Sequence, residues 1–166
     1  MNSKNTWDNR PIIGVIGANR ANEDLLETAY DLGRELARRG AILVCGGLGG
    51  VMEAACRGAK ELGGLTLGIL PGREAGQANR YVDLPIVTGL GEARNFVLVL
   101  TAQALIACGG GPGTLSEIAF ALQNEKILAG IRTWTIVDGT GKEGFFPVFQ
   151  DPADAVSSVL GRLGGA

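Results

Sequence analysis

The residues best suited to chemistry are one arginine and one glutamate, each beside a glycine-rich segment. Arg94 lies in "TGLGEARN" (88–95), and Glu117 ends "GGGPGTLSE" (109–117). The sequence contains no histidine, which removes the commonest general base and metal ligand. A guanidinium group binds a phosphate or a carboxylate through two parallel hydrogen bonds. Any catalysis would depend on carboxylate and arginine, and we assign no catalytic residue and no metal ligand.

Each of these residues also has a purely structural interpretation. Arg94 would be an ordinary surface arginine if its side chain pointed into solvent. Thr114 and Glu117 have the T-x-x-E spacing of a capping box, in which the glutamate accepts from the backbone N–H of the helix cap.

Cys45 and Cys108 each end an apolar segment before a glycine loop, where a helix N-terminus lowers a thiol pKa. We prefer to interpret both cysteines as small buried hydrophobic residues.

Composition predicts one domain in residues 12–166, preceded by a tail over residues 1–11. The chain has 166 residues, of which 46% are hydrophobic, so it can bury an ordinary core. Its net charge of -2 argues against nucleic-acid binding. The apolar stretch 96–108 is shorter than the roughly 18 residues of a membrane span. The N-terminus shows no secretory signal, and the three cysteines have no C-x-x-C spacing. We therefore expect a cytoplasmic protein.

Alternating strands and helices predict an α/β fold, a doubly wound Rossmann-like parallel sheet with helices on both faces. Asn22 is expected to cap the first helix, which Gly40 ends. Pro85 restricts its strand to an edge or a bulge. Predicted strands occupy 12–17, 41–45, 65–70, 82–87, 104–108, 127–131 and an edge strand at 134–137. Predicted helices occupy 23–39, 51–62, 96–102, 115–126 and 153–163.

Glycine-rich loops follow several of the predicted strands. "GANR" (17–20), "GGLGG" (46–50), "TGLGEARN" and "GGGPGT" (109–114) would meet at the carboxyl edge of the sheet, where such folds bind ligands. One such loop is common in α/β proteins, but several loops beside helix N-termini indicate a phosphate site. The candidate ligand-binding residues are Gly17, Ala18, Asn19, Gly46, Gly47, Gly49, Gly50, Arg94, Asn95, Gly110, Gly111, Gly113, Thr114 and Glu117.

Two common phosphate motifs are absent. The dinucleotide pattern G-x-G-x-x-G fails at "GGLGGVM", where Met52 replaces the last glycine, and no acidic residue ends the second strand. The P-loop pattern G-x-x-x-x-G-K-[ST] does not occur in the sequence. These two absences argue against NAD binding and against ATP-driven phosphoryl transfer.

Four segments together resemble a known group of proteins. "GGLGGVMEAACRGA", "GILPG", "TGLGEARN" and "GGGPGTLSEIAFAL" are similar, in order and spacing, to the LOG-like branch of Rossmann-type proteins. Within that branch they resemble the molybdenum cofactor carrier proteins. The similarity extends from Ile12 to about Ile131. It implies a doubly wound fold, a homodimer or homotetramer, and a cytoplasmic carrier whose site takes a phosphate-bearing pterin dithiolene, with molybdenum-enzyme apoproteins as recipients.

The same branch implies an alternative activity. LOG enzymes release the free base from nucleoside 5'-monophosphates and carry the motif P-G-G-x-G-T-x-x-E, together with an arginine and lysine pair. Here Gly109 replaces the proline and Asn95 replaces the lysine, which favours a carrier that is not an enzyme. A nucleotide sensor without turnover is a third interpretation. In the carrier, backbone N–H groups of "GGLGG" and "GGGPGT" would bind oxygens of the anionic ligand, Arg94 would add charge, and Glu117 would order the loop.

Overall fold

The chain folds into a seven-stranded parallel sheet with helices on both faces. The computed structural model describes residues 9–165, so most of the predicted tail lies outside the described residues, and the division at residue 12 stays a prediction. The strands are β1 (Ile12–Gly17), β2 (Ile42–Cys45), β3 (Thr66–Leu70), β4 (Leu84–Val87), β5 (Ala104–Cys108), β6 (Ile127–Ile131) and β7 (Val148–Phe149). The helices are α1 (Glu23–Arg38), α2 (Val51–Glu61), α3 (Arg94–Thr101), α4 (Pro112–Gln123) and α5 (Pro152–Gly164).

The strand order, β4-β3-β2-β1-β5-β6-β7, confirms the predicted doubly wound fold. The chain moves outward from β1 to β4 and then returns to the other side of β1 as β5. Every strand pair is parallel, with Ile13 opposite Leu43 on β2 and opposite Ala104 on β5. The order therefore reverses at β1, and the loops after β1, β2 and β5 diverge around a crevice at their carboxyl ends.

Alternate residues of the strands supply two separate hydrophobic cores. Ile13 and Val15 of β1 pack with buried residues of α1, α2 and α5, whereas Ile16 packs with buried residues of α3 and α4. This alternation follows from the two-residue period of a strand. No helix within residues 9–165 has the length and apolar character that crossing a lipid bilayer requires.

Local signals in the sequence set several helix and strand positions as predicted. The Asn22 side chain accepts from the backbone N–H of Leu25 and caps α1, and Asp151 accepts from Ala153 at the start of α5. The apolar, β-branched segment before β5 is helical, as predicted from the strand that follows it. Pro85 lies in β4, at the edge of the sheet, where its missing N–H costs no interior ladder bond.

The predicted edge strand at residues 134–137 is wrong. Arg132 has a positive φ of 47°, so the backbone turns away from the sheet directly after β6. Asp138 then accepts from the backbone N–H groups of Thr140 and Lys142 and closes a tight turn. The chain returns to the edge only at β7, which pairs with β6.

Candidate functional site

A cavity of about 470 Å³ lies at the carboxyl ends of β1, β2 and β5, where the strand order reverses. Residues of the end of β1, of the loops after β1, β2, β4 and β5, and of helices α2, α3 and α4 surround it. Its lining is Val15, Ile16, Gly17, Ala18, Asn19, Arg20, Gly46, Leu48, Met52, Glu92, Arg94, Asn95, Gly110, Gly111, Pro112, Gly113, Thr114 and Glu117. The structure thus brings most of the candidate residues together in one place.

Arg94 is buried in this cavity, so the interpretation as a surface arginine is wrong. It is the first residue of α3 and only 7% exposed. Its guanidinium group lies against Gly46 at the end of β2, where a Cβ atom would collide with it. Within residues 9–165, the Nε and Nη1 atoms of Arg94 have no hydrogen-bond partner. A buried cation with unused donors is expensive unless an anion binds it, so this group indicates an anion site.

Glu117 of α4 is the acidic partner of this arginine. Its Oε1 atom lies 3.9 Å from Nη1 of Arg94, and the residue is only 5% exposed. Burial raises the pKa of Glu117 to about 7, while Arg94 lowers it and nearby Glu92 raises it. The carboxyl group therefore exchanges a proton near neutral pH, and its protonated form can donate a hydrogen bond into the cavity.

The predicted capping box of Thr114 and Glu117 is wrong. The helix begins earlier, with Gly111 as the cap and Pro112 at its first position, because proline is preorganised for that place. Thr114 is therefore the third helical residue, and the Glu117 side chain lies deep beside Arg94. The buried Thr114 hydroxyl group has no hydrogen-bond partner within the described part of the chain.

Asn95 adds another buried polar group. Its Nδ2 atom donates to the Ser116 hydroxyl group at 3.0 Å, whereas its Oδ1 atom has no partner among residues 9–165. The unused atoms of Arg94, Asn95 and Thr114 all belong to side chains that line the same cavity. Since buried polar groups are normally hydrogen-bonded, this concentration favours a polar ligand that supplies the missing partners.

Two loop glycines make room for side chains of the protein. A Cβ atom at Gly46 would collide with Arg94, and one at Gly110 would collide with the indole ring of Trp134. The Trp134 Nε1 atom also lies 3.4 Å from the carbonyl oxygen of Gly111. These two glycines therefore allow Arg94 and Trp134 to lie directly against the loops around the cavity.

Two other glycines leave the cavity open. A Cβ atom at Gly111 would meet only the Ala18 Cβ atom, at 3.8 Å, and one at Gly113 would meet only Nδ2 of Asn95, at 3.9 Å. Gly113 and Thr114 lie in the first turn of α4, where backbone N–H groups have no partner within the helix. This helix end can therefore bind anionic oxygens.

The glycines Gly47, Gly49 and Gly50 do not line the cavity. The N–H of Gly47 donates to the Cys45 sulfur at 3.3 Å, and the N–H of Gly49 donates to Oδ1 of Asn19 at 2.9 Å. The proposed role of these two N–H groups in binding the ligand is corrected accordingly, because both already have partners inside the protein. The hydrogen bond of Gly49 attaches this loop to Asn19 in the loop after β1.

Sequence reasoning missed several lining residues. Arg20 and Glu92 belong to two of the loops that were identified, so their positions were available, but nothing in the pattern distinguished them. Leu48 and Met52 contribute apolar surface to the cavity. Met52 replaces the last glycine of the dinucleotide pattern, and this departure is the feature of the sequence that could have identified it as a lining residue.

Cys45 and Cys108 are free and buried, as the preferred interpretation predicted, and Cys56 is free and buried as well. The sulfur atoms of Cys45 and Cys56 lie 3.5 Å apart, and this contact lowers the pKa of Cys45 and raises that of Cys56. Burial raises the pKa of Cys108 to about 12. No cysteine lines the cavity, and residues 9–165 contain no group of three or more His, Cys, Asp or Glu side chains that could hold a metal ion.

Comparisons with known proteins place this geometry in context. Residues 10–154 match the model of the SLOG cluster4 family. The molybdenum cofactor binding protein from the phototrophic bacterium Rippkaea orientalis is 39% identical, with a TM-score of 0.84 over 93% of this chain and 98% of that chain. The molybdenum cofactor carrier protein from Chlamydomonas reinhardtii is also 39% identical, with a TM-score of 0.82 over 93% of this chain and 99% of that chain.

A similarity to an enzyme is weaker. The cytokinin riboside 5'-monophosphate phosphoribohydrolase of Mycobacterium tuberculosis is 32% identical over 74% of this chain and 70% of that protein. The site of this chain combines a buried cation, a helix N-terminus and a carboxyl group that exchanges a proton near neutral pH, and these groups suit an anionic ligand.

Proposed function

The chain belongs to the SLOG cluster4 family, and we propose that it binds the molybdenum cofactor as cargo, protects it and delivers it to molybdenum-enzyme apoproteins. The observation that supports this most is the set of buried, unpartnered polar atoms on Arg94, Asn95 and Thr114 around one cavity. An anionic phosphate group would accept from the Arg94 and Thr114 donors, and an N–H or O–H group of the ligand would donate to Oδ1 of Asn95. The structural similarity to two proteins that bind or carry this cofactor supports the same ligand.

The residues fit such a cargo without bonding to its metal. Arg94 and the first turn of α4 offer donors to phosphate oxygens, and apolar atoms of Leu48 and Met52 offer a surface for a planar ring. The dithiolene of the cofactor already holds the molybdenum, so the protein needs no metal ligand. We propose that Arg94 binds the phosphate group of the cargo and that protonated Glu117 donates a hydrogen bond to the cargo.

A second candidate function is hydrolysis of a nucleoside 5'-monophosphate. The ion pair of Arg94 and Glu117 favours it, since the resemblance gives the hydrolases an arginine and a glutamate at these positions. Gly109 argues against it, because its φ of 68° is inaccessible to the proline of the hydrolase motif. Asn95, in the place of the lysine, is neutral and donates to Ser116. The carrier function is therefore the better supported proposal.

We also propose that the protein forms a homodimer or homotetramer in the cytoplasm. Phe96 and Leu100 of α3 and Leu115 of α4 are exposed, and the two helices share one surface. Burial of such an apolar face against a second copy would remove it from water. The free thiols fit a reducing compartment.

The test is purification of the protein from cells that make the cofactor. Molybdenum would be measured by mass spectrometry and the pterin by fluorescence after oxidation. The carrier function predicts pterin and molybdenum in near-equal amounts. Bound nucleotide without pterin would contradict it and support a sensor.

A further inference from the structure

A second cavity lies beside the site described above, between α1, α2 and the turn that precedes β4. Its volume is about 250 Å³, and Arg57, Arg80, Tyr81, Glu53 and Leu26 contribute to its wall. A shallower depression shares Glu53 and Arg80 with this cavity. It also shares Asn19 and Leu48 with the Arg94 cavity. The second cavity is therefore a separate space that adjoins the proposed cargo site.

The two arginines of this cavity are held by aromatic rings instead of carboxylates. Arg57 Cζ lies 5.0 Å from the centroid of the Tyr30 ring, and Arg80 Cζ lies 4.9 Å from that of Tyr81. Nη2 of Arg80 also donates to the Tyr81 hydroxyl group at 2.7 Å. Among residues 9–165, neither arginine forms an ion pair within 4.0 Å, although the neighbouring Lys60 pairs with an aspartate at 2.8 Å. Their positive charges therefore remain available to an anion.

The turn that carries Arg80 is firmly attached to the loop after β2. The Asn79 backbone N–H donates to the carbonyl oxygen of Gly47 at 2.8 Å, and Nδ2 of Asn79 donates to that of Leu48 at 2.8 Å. The N–H of Tyr81 donates to Oδ1 of Asn79 at 3.0 Å. This attachment fixes the backbone on both sides of Arg80, so the cavity exists before a ligand arrives.

Glu53 determines which anion suits this cavity. A bare phosphate ion would meet two guanidinium groups but also the Glu53 carboxylate. A ligand that has an anionic end and a planar end with N–H donors would satisfy both charges. Apolar atoms of Leu26 offer a surface for such a ring. A guanine base presents two adjacent N–H donors, and the two oxygens of one carboxylate can accept a hydrogen bond from each of them.

We propose that this second cavity binds a guanine nucleoside 5'-monophosphate, with its phosphate on Arg57 and Arg80 and its base on Glu53. The proposal goes beyond the carrier function and does not depend on it, because the two sites use different residues. Bound nucleotide at this position would lie next to the mouth of the cargo site.

The test is isothermal titration of the purified wild-type protein with guanosine 5'-monophosphate and, separately, with inosine 5'-monophosphate, which lacks the 2-amino group. Arg57→Ala and Arg80→Ala should each weaken binding of guanosine monophosphate at least tenfold. Arg73→Ala is the matched control, because it removes the same charge from an exposed position of the same loop. Glu53→Gln should reduce the preference for the guanine nucleotide over the inosine nucleotide.

The expected result also includes undiminished binding of guanosine monophosphate by Arg94→Ala, whose substitution lies in the cargo site. Arg80→Lys, which keeps the charge, should retain part of the affinity. Absence of binding to the wild-type protein would overturn the proposal. Loss of binding only in Arg94→Ala would also overturn it, because the nucleotide would then occupy the cargo cavity. Pterin retention, measured on the same variants, tests the carrier function separately.

Discussion

Replacement of Glu117 by glutamine should make the protein more stable at pH 8 and change its stability much less at pH 5. The Glu117 carboxyl group has a pKa of about 7, compared with an ordinary value of 4.5, because it is buried. Between these two values the folded protein binds more protons than the unfolded chain. Stability therefore falls as the pH rises through this window, and the loss is complete above pH 7. Glutamine cannot ionise, so the variant avoids this loss.

The size of the effect follows from the shift in pKa. A displacement from 4.5 to about 7 corresponds to on the order of 3 kcal/mol. This figure already includes the attraction to Arg94, since the pKa reflects burial and both neighbouring charges. For a chain of this length, about 1 kcal/mol changes the melting temperature by roughly 2–4 °C. The variant should melt roughly 6–12 °C above the wild type at pH 8.

The assay is thermal unfolding of ligand-free protein, followed by circular dichroism at several pH values from 5 to 8. Glu27→Gln provides the matched control, because Glu27 is exposed on α1 and surface substitutions change stability by roughly 0.5 kcal/mol or less. A Glu117→Gln protein that is less stable than the wild type at pH 8 would contradict this prediction. That result would mean that the ionised carboxylate stabilises the fold through Arg94.

Further predictions concern activity, assembly and cavity shape. The protein should release little adenine from AMP in a chromatographic assay, and turnover near about 10 per second would contradict the carrier function. Leu100→Glu should reduce the mass from light scattering to that of a single 17.2 kDa chain; a wild-type protein that is already monomeric at micromolar concentration would contradict the proposed assembly. Gly111→Thr should keep the melting temperature, because threonine is an acceptable helix cap, but weaken pterin retention at least tenfold by filling the open cavity. Gly110→Thr should instead lower the melting temperature, because the new side chain displaces Trp134. If Gly111→Thr retains as much pterin as the wild type, the cargo binds elsewhere.

The fold was predictable because its signals are local and repeated. Asn22 and Asp151 mark helix starts through their own side chains, and buried strands appear as short apolar segments. The strand β7 was missed because it has only two residues and depends on pairing with β6. The prediction of an edge strand at residues 134–137 was wrong because Arg132 adopts a positive φ, and an arginine in the sequence gives no sign of this conformation.

The site was predictable as a set of loops but not as a set of contacts. Arg94 begins α3 and lies against Gly46, which follows β2, and nothing in either local sequence shows that these two residues approach each other. The T-x-x-E spacing favoured a capping box, yet Pro112 starts the helix earlier and leaves Glu117 beside Arg94. The second cavity could not be predicted from the sequence either. Its two arginines are far apart in the chain, and only the packing of the fold brings them to one cavity.

In the proposed carrier function, Arg94 holds an anionic cargo in the cavity after β1, β2 and β5. The most direct measurement mixes the purified protein with molybdenum cofactor released from a molybdenum enzyme, removes unbound cofactor by filtration, and determines retained pterin by fluorescence. Arg94→Ala should weaken retention by about 1.5–3 kcal/mol, or roughly tenfold to a hundredfold, the range for a hydrogen bond to a charged group. Arg94→Lys should show a smaller loss, because it keeps the positive charge. Some loss should remain, because lysine cannot bind the anion bidentately. Full retention by a folded Arg94→Ala protein would contradict the account and assign the anion to backbone N–H groups alone.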